Sequence, residues 1–269
     1  MNIVKSNFHT HTTFCDGKST VEENVLSAID KGFYSLGFSG HSENSHGTYG
    51  MKNTDGYITE INRVKEKYKD KIQIYLGIEE EMTQFVERDR YDYIIGSNHY
   101  FAIGDALIDV DHTADKIHLA IELMGNDSLA LAEHYYKRYC DYILSRKPDI
   151  VAHFDLLTKF DEKEKTPLFL GNKEYTDLSV KYLLCAMKSG CIFEVNTGAI
   201  SRGYRTTPYP SAELLHTLLK NDGKIMINSD SHHADNLDCA FEETALMLKD
   251  IGFKYTYMLY DGKFCKVNL

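Results

Sequence analysis

Seven short apolar runs punctuate this chain, each carrying His, Glu, Asp or Asn at its C-terminal end: Ile3–His11, Ser35–His41, Ile72–Met82, Tyr91–His99, Ile150–His153, Cys191–Asn196 and Lys224–Asp230. Between them run longer amphipathic stretches with helix signals. Val21–Lys31 follows a capping-box pattern, Ser19-x-x-Glu22, and stops at Gly32. Asp177–Ser189 stops at Gly190, Ala212–Asn221 near Gly223, and Leu237–Ile251 at Gly252. Strand and helix alternating at this rhythm predict repeated βα units with right-handed crossovers, hence an open doubly wound sheet or a closed barrel. In an open sheet, ligands gather at one switch point; in a barrel, every strand end reaches the same face. Seven polar strand ends therefore predict an α/β fold of the TIM-like (β/α)7 type, one domain spanning residues 1–269.

Other segments add less. Lys254–Tyr260, Asp261-Gly262 and Lys263–Val267 predict a terminal hairpin. Tyr100 to about Asp127, and Asp161–Tyr175, read as long loops after strands. None of the six cysteines forms a CxxC pair, and Cys140, Cys185 and Cys239 fall on apolar faces of predicted helices. Reduced, buried thiols in a cytoplasmic protein are expected. No secretory h-region opens the sequence, and no apolar run reaches the roughly 18 residues of a membrane span. With 40 acidic against 30 basic residues the net charge is −10, which disfavours nucleic acid and anionic membranes as partners. A small anionic substrate would need a local cationic site, which metal ions could supply.

The polar strand ends supply ligands for them. His9 and His11 lie two residues apart, on one strand face together with Asn7. Asp16, His41, Glu79-Glu80-Glu81, His99, His153, Glu194, Asp230 and His232 stand at or just after the other strand ends. So many buried polar groups in one barrel mouth are costly without compensation. Mixed imidazole and carboxylate donors suit Zn²⁺, Fe²⁺ or Mn²⁺. With no cysteine near these strand ends, a thiolate-rich structural zinc is not expected.

These motifs carry a resemblance. His9-Thr10-His11-Thr12 with Cys15-Asp16-Gly17, Gly40-His41-Ser42, Gly77-Ile78-Glu79, Gly96-Ser97-Asn98-His99, Ala152-His153-Phe154-Asp155, Glu194-Val195-Asn196-Thr197 and Ser229-Asp230-Ser231-His232 resemble, in order, the polymerase-and-histidinol-phosphatase (PHP) superfamily. The pattern is specifically that of its monofunctional histidinol-phosphatases, to which Tyr209-Pro210-Ser211 is also similar. The resemblance implies a distorted (β/α)7 barrel with three divalent ions. It assigns His9, His11, Glu79, Glu194 and Asp230 to the first ion or its bridge, Glu79, His99 and His153 to the second, and Asp16, His41 and His232 to the third. Asn7 stands where the family usually has Asp, at a position expected to orient a ligand imidazole. The three consecutive glutamates leave the bridging ligand open: Glu79 fits the motif and shares a face with Glu81, and a bulge would favour Glu80.

The implied reaction is hydrolysis of L-histidinol phosphate to L-histidinol and phosphate in histidine biosynthesis, through a hydroxide shared by two ions. Arg202 is the expected phosphate ligand, with Arg205 and Lys159 as further candidates. Asp230 or His232 would relay the proton to the leaving alkoxide. The segment with Phe101, Asp109, Asp111 and His112 could meet the ligand's imidazole and ammonium. Three other readings compete: a superfamily phosphoesterase acting on nucleotides or oligonucleotide ends, a non-catalytic barrel module, and a barrel amidohydrolase. The last often bridges its metals with a modified lysine, for which no strand end offers a candidate.

Overall fold

The computed structural model describes residues 4–44 and 49–269. Along the chain run β1 (Ser6–Asn7), α1 (Val21–Asp30), β2 (Ser35–Phe38), α2 (Thr54–Lys67), β3 (Gln73–Glu81), β4 (Tyr93–Ser97), β5 (Tyr100–Ile103), β6 (Ala106–Asp109), α3 (Ala114–Leu123), α4 (Ser128–Arg146), β7 (Ile150–Val151), α5 (Lys173–Ala186), β8 (Ile192–Asn196), α6 (Gly198–Ser201), α7 (Ala212–Lys220), β9 (Lys224–Asn228), α8 (Phe241–Ile251), β10 (Tyr255–Tyr260) and β11 (Lys263–Asn268). Seven parallel strands form one sheet in the order β1-β2-β3-β4-β7-β8-β9. The sheet curls into the expected barrel, and its seam between β1 and β9 is closed beyond the strands. There Thr10 bridges Ser231, with His11 N donating to Ser231 O at 2.8 Å and Ser231 N to His9 O at 3.0 Å. Two asparagines extend the closure: Phe8 N donates to Asn228 Oδ1 at 2.9 Å and Ser229 N to Asn7 Oδ1 at 3.0 Å. Among the described residues no helix is long and apolar enough to cross a membrane.

The barrel interior is layered. Phe8, Tyr75, Tyr93, Ile95, Ile150, Ala152, Ile192 and Met226 fill its lower part, with Met258 and Leu259 of the terminal hairpin sealing it from below. Thr256 Oγ1 ties that hairpin to the Ile225 carbonyl at 3.0 Å. Its turn is Asp261-Gly262, both at positive φ, as the sequence signal requires. Tyr93 lies across the interior, and its hydroxyl reaches the carbonyls of Phe8 at 2.5 Å and Phe38 at 3.2 Å. It fits because Gly37 and Gly77 have no side chain. A Cβ on either would come within 2.3 Å and 2.2 Å, respectively, of Tyr93 atoms. A second, larger core packs the outer strand faces against the helices.

Several expectations need correction. The first strand was expected over Ile3–His11, but its ladder covers only Ser6–Asn7, and Ile3 lies outside the described residues. Phe8 joins the interior core while His9 and His11 face the mouth, so simple alternation breaks here. The capping box is one residue later than expected: Glu23 N donates to Thr20 Oγ1 at 3.2 Å, and Thr20 N to Glu23 Oε2 at 2.7 Å. Ser19 is occupied instead by Ala234 N, at 3.0 Å. The Tyr100–Asp127 stretch is not a plain loop but the β5–β6 hairpin followed by α3. The helix expected from Asp177 begins at Lys173, capped by Asn172, and the last one begins at Phe241, which leaves Cys239 in a turn. All six cysteines are free.

Candidate metal centre

The strands deliver their polar ends to one place. On β3 the inner face reads Tyr75, Gly77, Glu79, Glu81, so its first residues fill the barrel and its last ones face the mouth. Glu79 is central. Its Oε2 lies 2.8 Å from His41 Nδ1 and 3.3 Å from His9 Nε2; its Oε1 lies 3.2 Å from His153 Nε2 and 3.5 Å from His99 Nε2. The neighbouring glutamates do other things. Glu80 points outward to Arg146 Nη2 at 2.6 Å and Tyr142 OH at 2.7 Å, so β3 is regular and carries no bulge here. Glu81 Oε2 holds His99 through its Nδ1 at 3.0 Å and its backbone N–H at 3.1 Å.

At the seam, Asp230 takes a left-handed backbone with φ 48°, a conformation that non-glycine residues keep mainly where the surroundings enforce it. Its Oδ1 stands 3.2 Å from His11 Nε2 and 3.6 Å from His9 Nε2. His232 Nε2 meets Asp16 Oδ2 at 3.2 Å, and its ring stacks on His11 with centroids 4.0 Å apart. Among the described residues three sets of donor atoms result, the atoms of each set within 4.8 Å of one another: His11, Asp16, His41 and His232; His9, His11 and Asp230; and His41, Glu79 and His99. Glu194 and His153 border these sets. Glu194 Oε1 binds His9 Nδ1 at 2.7 Å, and its Oε2 accepts from His153 N at 3.0 Å and Asn196 Nδ2 at 2.8 Å.

The electrostatics follow from this crowding. Burial disfavours charge on His9, yet Glu194, Asp230 and Glu79 raise its pKa well above the ordinary imidazole value. Burial opposes ionisation of Asp230 and Glu79 too. Arg202 and His9 nonetheless hold Asp230 well below the carboxylate range, and His41, His9 and His99 do the same for Glu79. Burial and then the charge of His11 lower the pKa of His232. The donor set fits divalent cations. His9 Nε2 and His11 Nε2 are buried, make no hydrogen bond among the described residues, and face carboxylates. Such atoms are costly unless something cationic or protic engages them.

Arg202 sits at the edge of the cluster. Its Nη2 donates to Asp230 Oδ2 at 3.0 Å and its Nη1 to the Asp230 carbonyl at 3.1 Å, with His232 Nδ1 at 3.2 Å from the same nitrogen. The other phosphate candidates are engaged elsewhere. Lys159 Nζ is bound to Asp111 through Oδ1 at 2.6 Å and the carbonyl at 2.7 Å. Arg205 is buried, with Nη1 on Thr158 Oγ1 at 2.5 Å and its guanidinium over the Tyr209 ring. Asp109 and Asp111 end the β5–β6 hairpin, whose Val110 N–H donates to the His99 carbonyl at 3.0 Å. Asn7 does not orient an imidazole. Its side chain bonds Thr10 Oγ1 and Ser229 Oγ, both at 2.9 Å, and so fixes the backbone that carries His9 and His11.

Cys15 corrects the expectation that no thiol lies near the strand ends. Its Sγ is 3.5 Å from His11 Nδ1, and although burial raises the thiol pKa, the His11 contact leaves it lowered overall. The four-residue step from His11 to Cys15 crosses a turn, where no periodicity announces such a contact.

Residues 7–198 match the PHP domain model, well over half of the chain. The chain belongs to the PHP domain family. This PHP match ends before Asp230 and His232, which complete the cluster from the seam side. Among curated relatives, a protein of Schizosaccharomyces pombe named as a probable histidinol-phosphatase is 26% identical over 277 residues, covering 94% of this chain and 89% of its own. The histidinol-phosphatase of Lactococcus lactis is 26% identical over 271 residues, covering 93% and 92%. The crystal structure of the Lactococcus lactis histidinol phosphate phosphatase, complexed with zinc, L-histidinol and phosphate, superposes with a TM-score of 0.75 at 21% identity. It covers 98% of this chain and 99% of that one, and shows the shared fold.

Proposed function

We infer that this PHP protein is a metal-dependent phosphomonoesterase that hydrolyses L-histidinol phosphate to L-histidinol and phosphate in histidine biosynthesis. The observation that carries the chemistry is the mouth itself: three donor sets side by side, with an arginine anchored on one of their carboxylates. The near full-length likeness to histidinol-phosphatases supports the substrate. The same reading places the enzyme in the cytoplasm, as a single domain with neither nucleic acid nor membrane as partner.

His9, His11, Glu79 and Asp230, with Glu194 holding His9, would bind a first ion. Glu79, His99 and His153 would bind a second, and Asp16, His41 and His232 a third, each Zn²⁺, Fe²⁺ or Mn²⁺. Bound ions would supply positive charge for the phosphate and a lowered pKa for the attacking water. Arg202 presents its guanidinium to the non-bridging oxygens and offsets their charge as phosphorus is attacked. Asp230 or His232, both touching Arg202, would relay the proton that the leaving alkoxide takes up; Asp230, held ionised by Arg202 and His9, would carry it only in passing. Glu81 and Glu194 fix the rings of His99 and His9, as carboxylates commonly do for ligand imidazoles.

The test is phosphate release from L-histidinol phosphate, run beside 3′- and 5′-nucleotides with metal-stripped and metal-reloaded protein. The reading expects preference for L-histidinol phosphate, lost on stripping and regained on reloading. Faster nucleotide hydrolysis would move the enzyme to another branch of the family.

A further inference from the structure

A buried polar group beside the cluster takes no part in that chemistry. Tyr209 lies on the segment leading from α6 to α7 and is clamped to the end of β8. Its N–H donates to the Asn196 carbonyl at 2.9 Å, and its carbonyl accepts from Asn196 N at 2.8 Å. The side chain is 1% exposed, and among the described residues its hydroxyl has no hydrogen-bond partner. The ring is well used: the Arg205 guanidinium lies 4.7 Å from its centroid, and the His153 ring stands edge-on at 6.5 Å. Phenylalanine would serve those contacts equally well. A buried hydroxyl without a partner costs stability, so its presence calls for a partner that arrives from outside the protein. Arg202 shows the same pattern, with Nε buried and unbonded while its Nη atoms hold Asp230. A phenol is protonated at neutral pH, so the hydroxyl is available as a donor.

We propose that Tyr209 is a substrate-binding residue whose hydroxyl donates a hydrogen bond to the phosphate ester held by Arg202. The chemistry it recognises is an anionic phosphoryl oxygen. The proposal rests on the phosphomonoesterase reading, and L-histidinol phosphate enters only as the ester to be tested.

The experiment is Tyr209→Phe, read three ways: kcat/KM on L-histidinol phosphate, the Kd of inorganic phosphate for the metal-loaded protein by calorimetry, and the Tm of the metal-stripped protein. A lost hydrogen bond to a charged oxygen predicts roughly 10- to 100-fold lower kcat/KM and weaker phosphate binding. Metal content should be unchanged, and the metal-stripped Tm equal to or above that of the wild type. Wild-type kcat/KM together with wild-type phosphate affinity would overturn the proposal. So would a lowered Tm or failure to fold, which would make the hydroxyl structural. If the wild-type protein does not hydrolyse L-histidinol phosphate, the substrate reading fails, and the phosphate Kd comparison still decides the role of Tyr209.

Discussion

Along the inner face of β3, Tyr75 and Glu79 stand four residues apart and serve opposite ends of the barrel. Tyr75 belongs to an apolar plug that the C-terminal hairpin seals; Glu79 lies among imidazoles at the mouth. The plug draws its residues from β3, β4, β7, β8 and β9 and from Phe8 just after β1, and it turns the barrel floor into a close-packed solid. The mouth buries ionisable groups that desolvation penalises, and His9, Glu79 and Asp230 hold their charge only through their neighbours. Stability and chemistry are thus separated by height within one sheet, and substitutions at the two levels should separate too.

The largest effect is expected at the mouth. Glu79→Gln should lower kcat by roughly 10²–10³-fold or more, on the scale of losing a preorganised charge in an active site, while far-UV circular dichroism stays that of the wild type. Loss of the folded spectrum instead would break the comparison at once. Met226, fully buried in the plug, gives the reverse case. Met226→Ala should cost about 2–5 kcal/mol in denaturant unfolding, with kcat of the folded, metal-loaded fraction near the wild-type value.

A finer division lies within the mouth. Glu81 holds His99 through both its ring and its backbone, and stands outside the three donor sets. Glu81→Gln should weaken metal binding by roughly 10–100-fold, the usual effect of losing a carboxylate behind a ligand imidazole. Competition with a chelator would measure this, and unchanged affinity would show that packing alone orients His99. The smallest effect concerns the barrel's outer wall. Asp238 pairs with Lys5 at 2.7 Å and Lys31 at 2.8 Å. Burial raises its pKa, but the two lysines leave it below the ordinary value. Its contribution is therefore present above the unfolded Asp pKa of about 3.9 and is lost as pH falls through the folded value. Asp238→Asn should lower Tm modestly at pH 7, by about 1 kcal/mol or less in stability, and the gap should close in acid. A gap that persists at low pH would mean that the carboxylate's charge is not what matters.

The strand ends were legible because a polar residue closing an apolar run is seldom set there by packing alone, and the order of seven such ends made the barrel readable. The caps were less so. Ser19 with Glu22 and Thr20 with Glu23 are equivalent patterns, and the tie is broken by Ala234, more than two hundred residues away, which takes the Ser19 hydroxyl. The β5–β6 hairpin is encoded as Gly104-Asp105 between two apolar runs, with Gly104 at positive φ, but each strand is only four residues long, too short for its pattern to stand out from loop. Lys159 and Arg205 could not be sorted from Arg202 by sequence, since Asp111 and Thr158, their partners, come from separate segments.

Three successive glutamates make β3 redundant in charge. A one-residue deletion early in the strand would still deliver a carboxylate to the mouth, because Glu80 would move into the place of Glu79. It would also put Ile78 in place of Gly77, where even a Cβ comes within 2.2 Å of the Tyr93 ring. Mutational drift can therefore trade one glutamate for its neighbour only if the gap beneath Tyr93 is kept. In evolutionary terms the carboxylate has understudies, and the glycine has none.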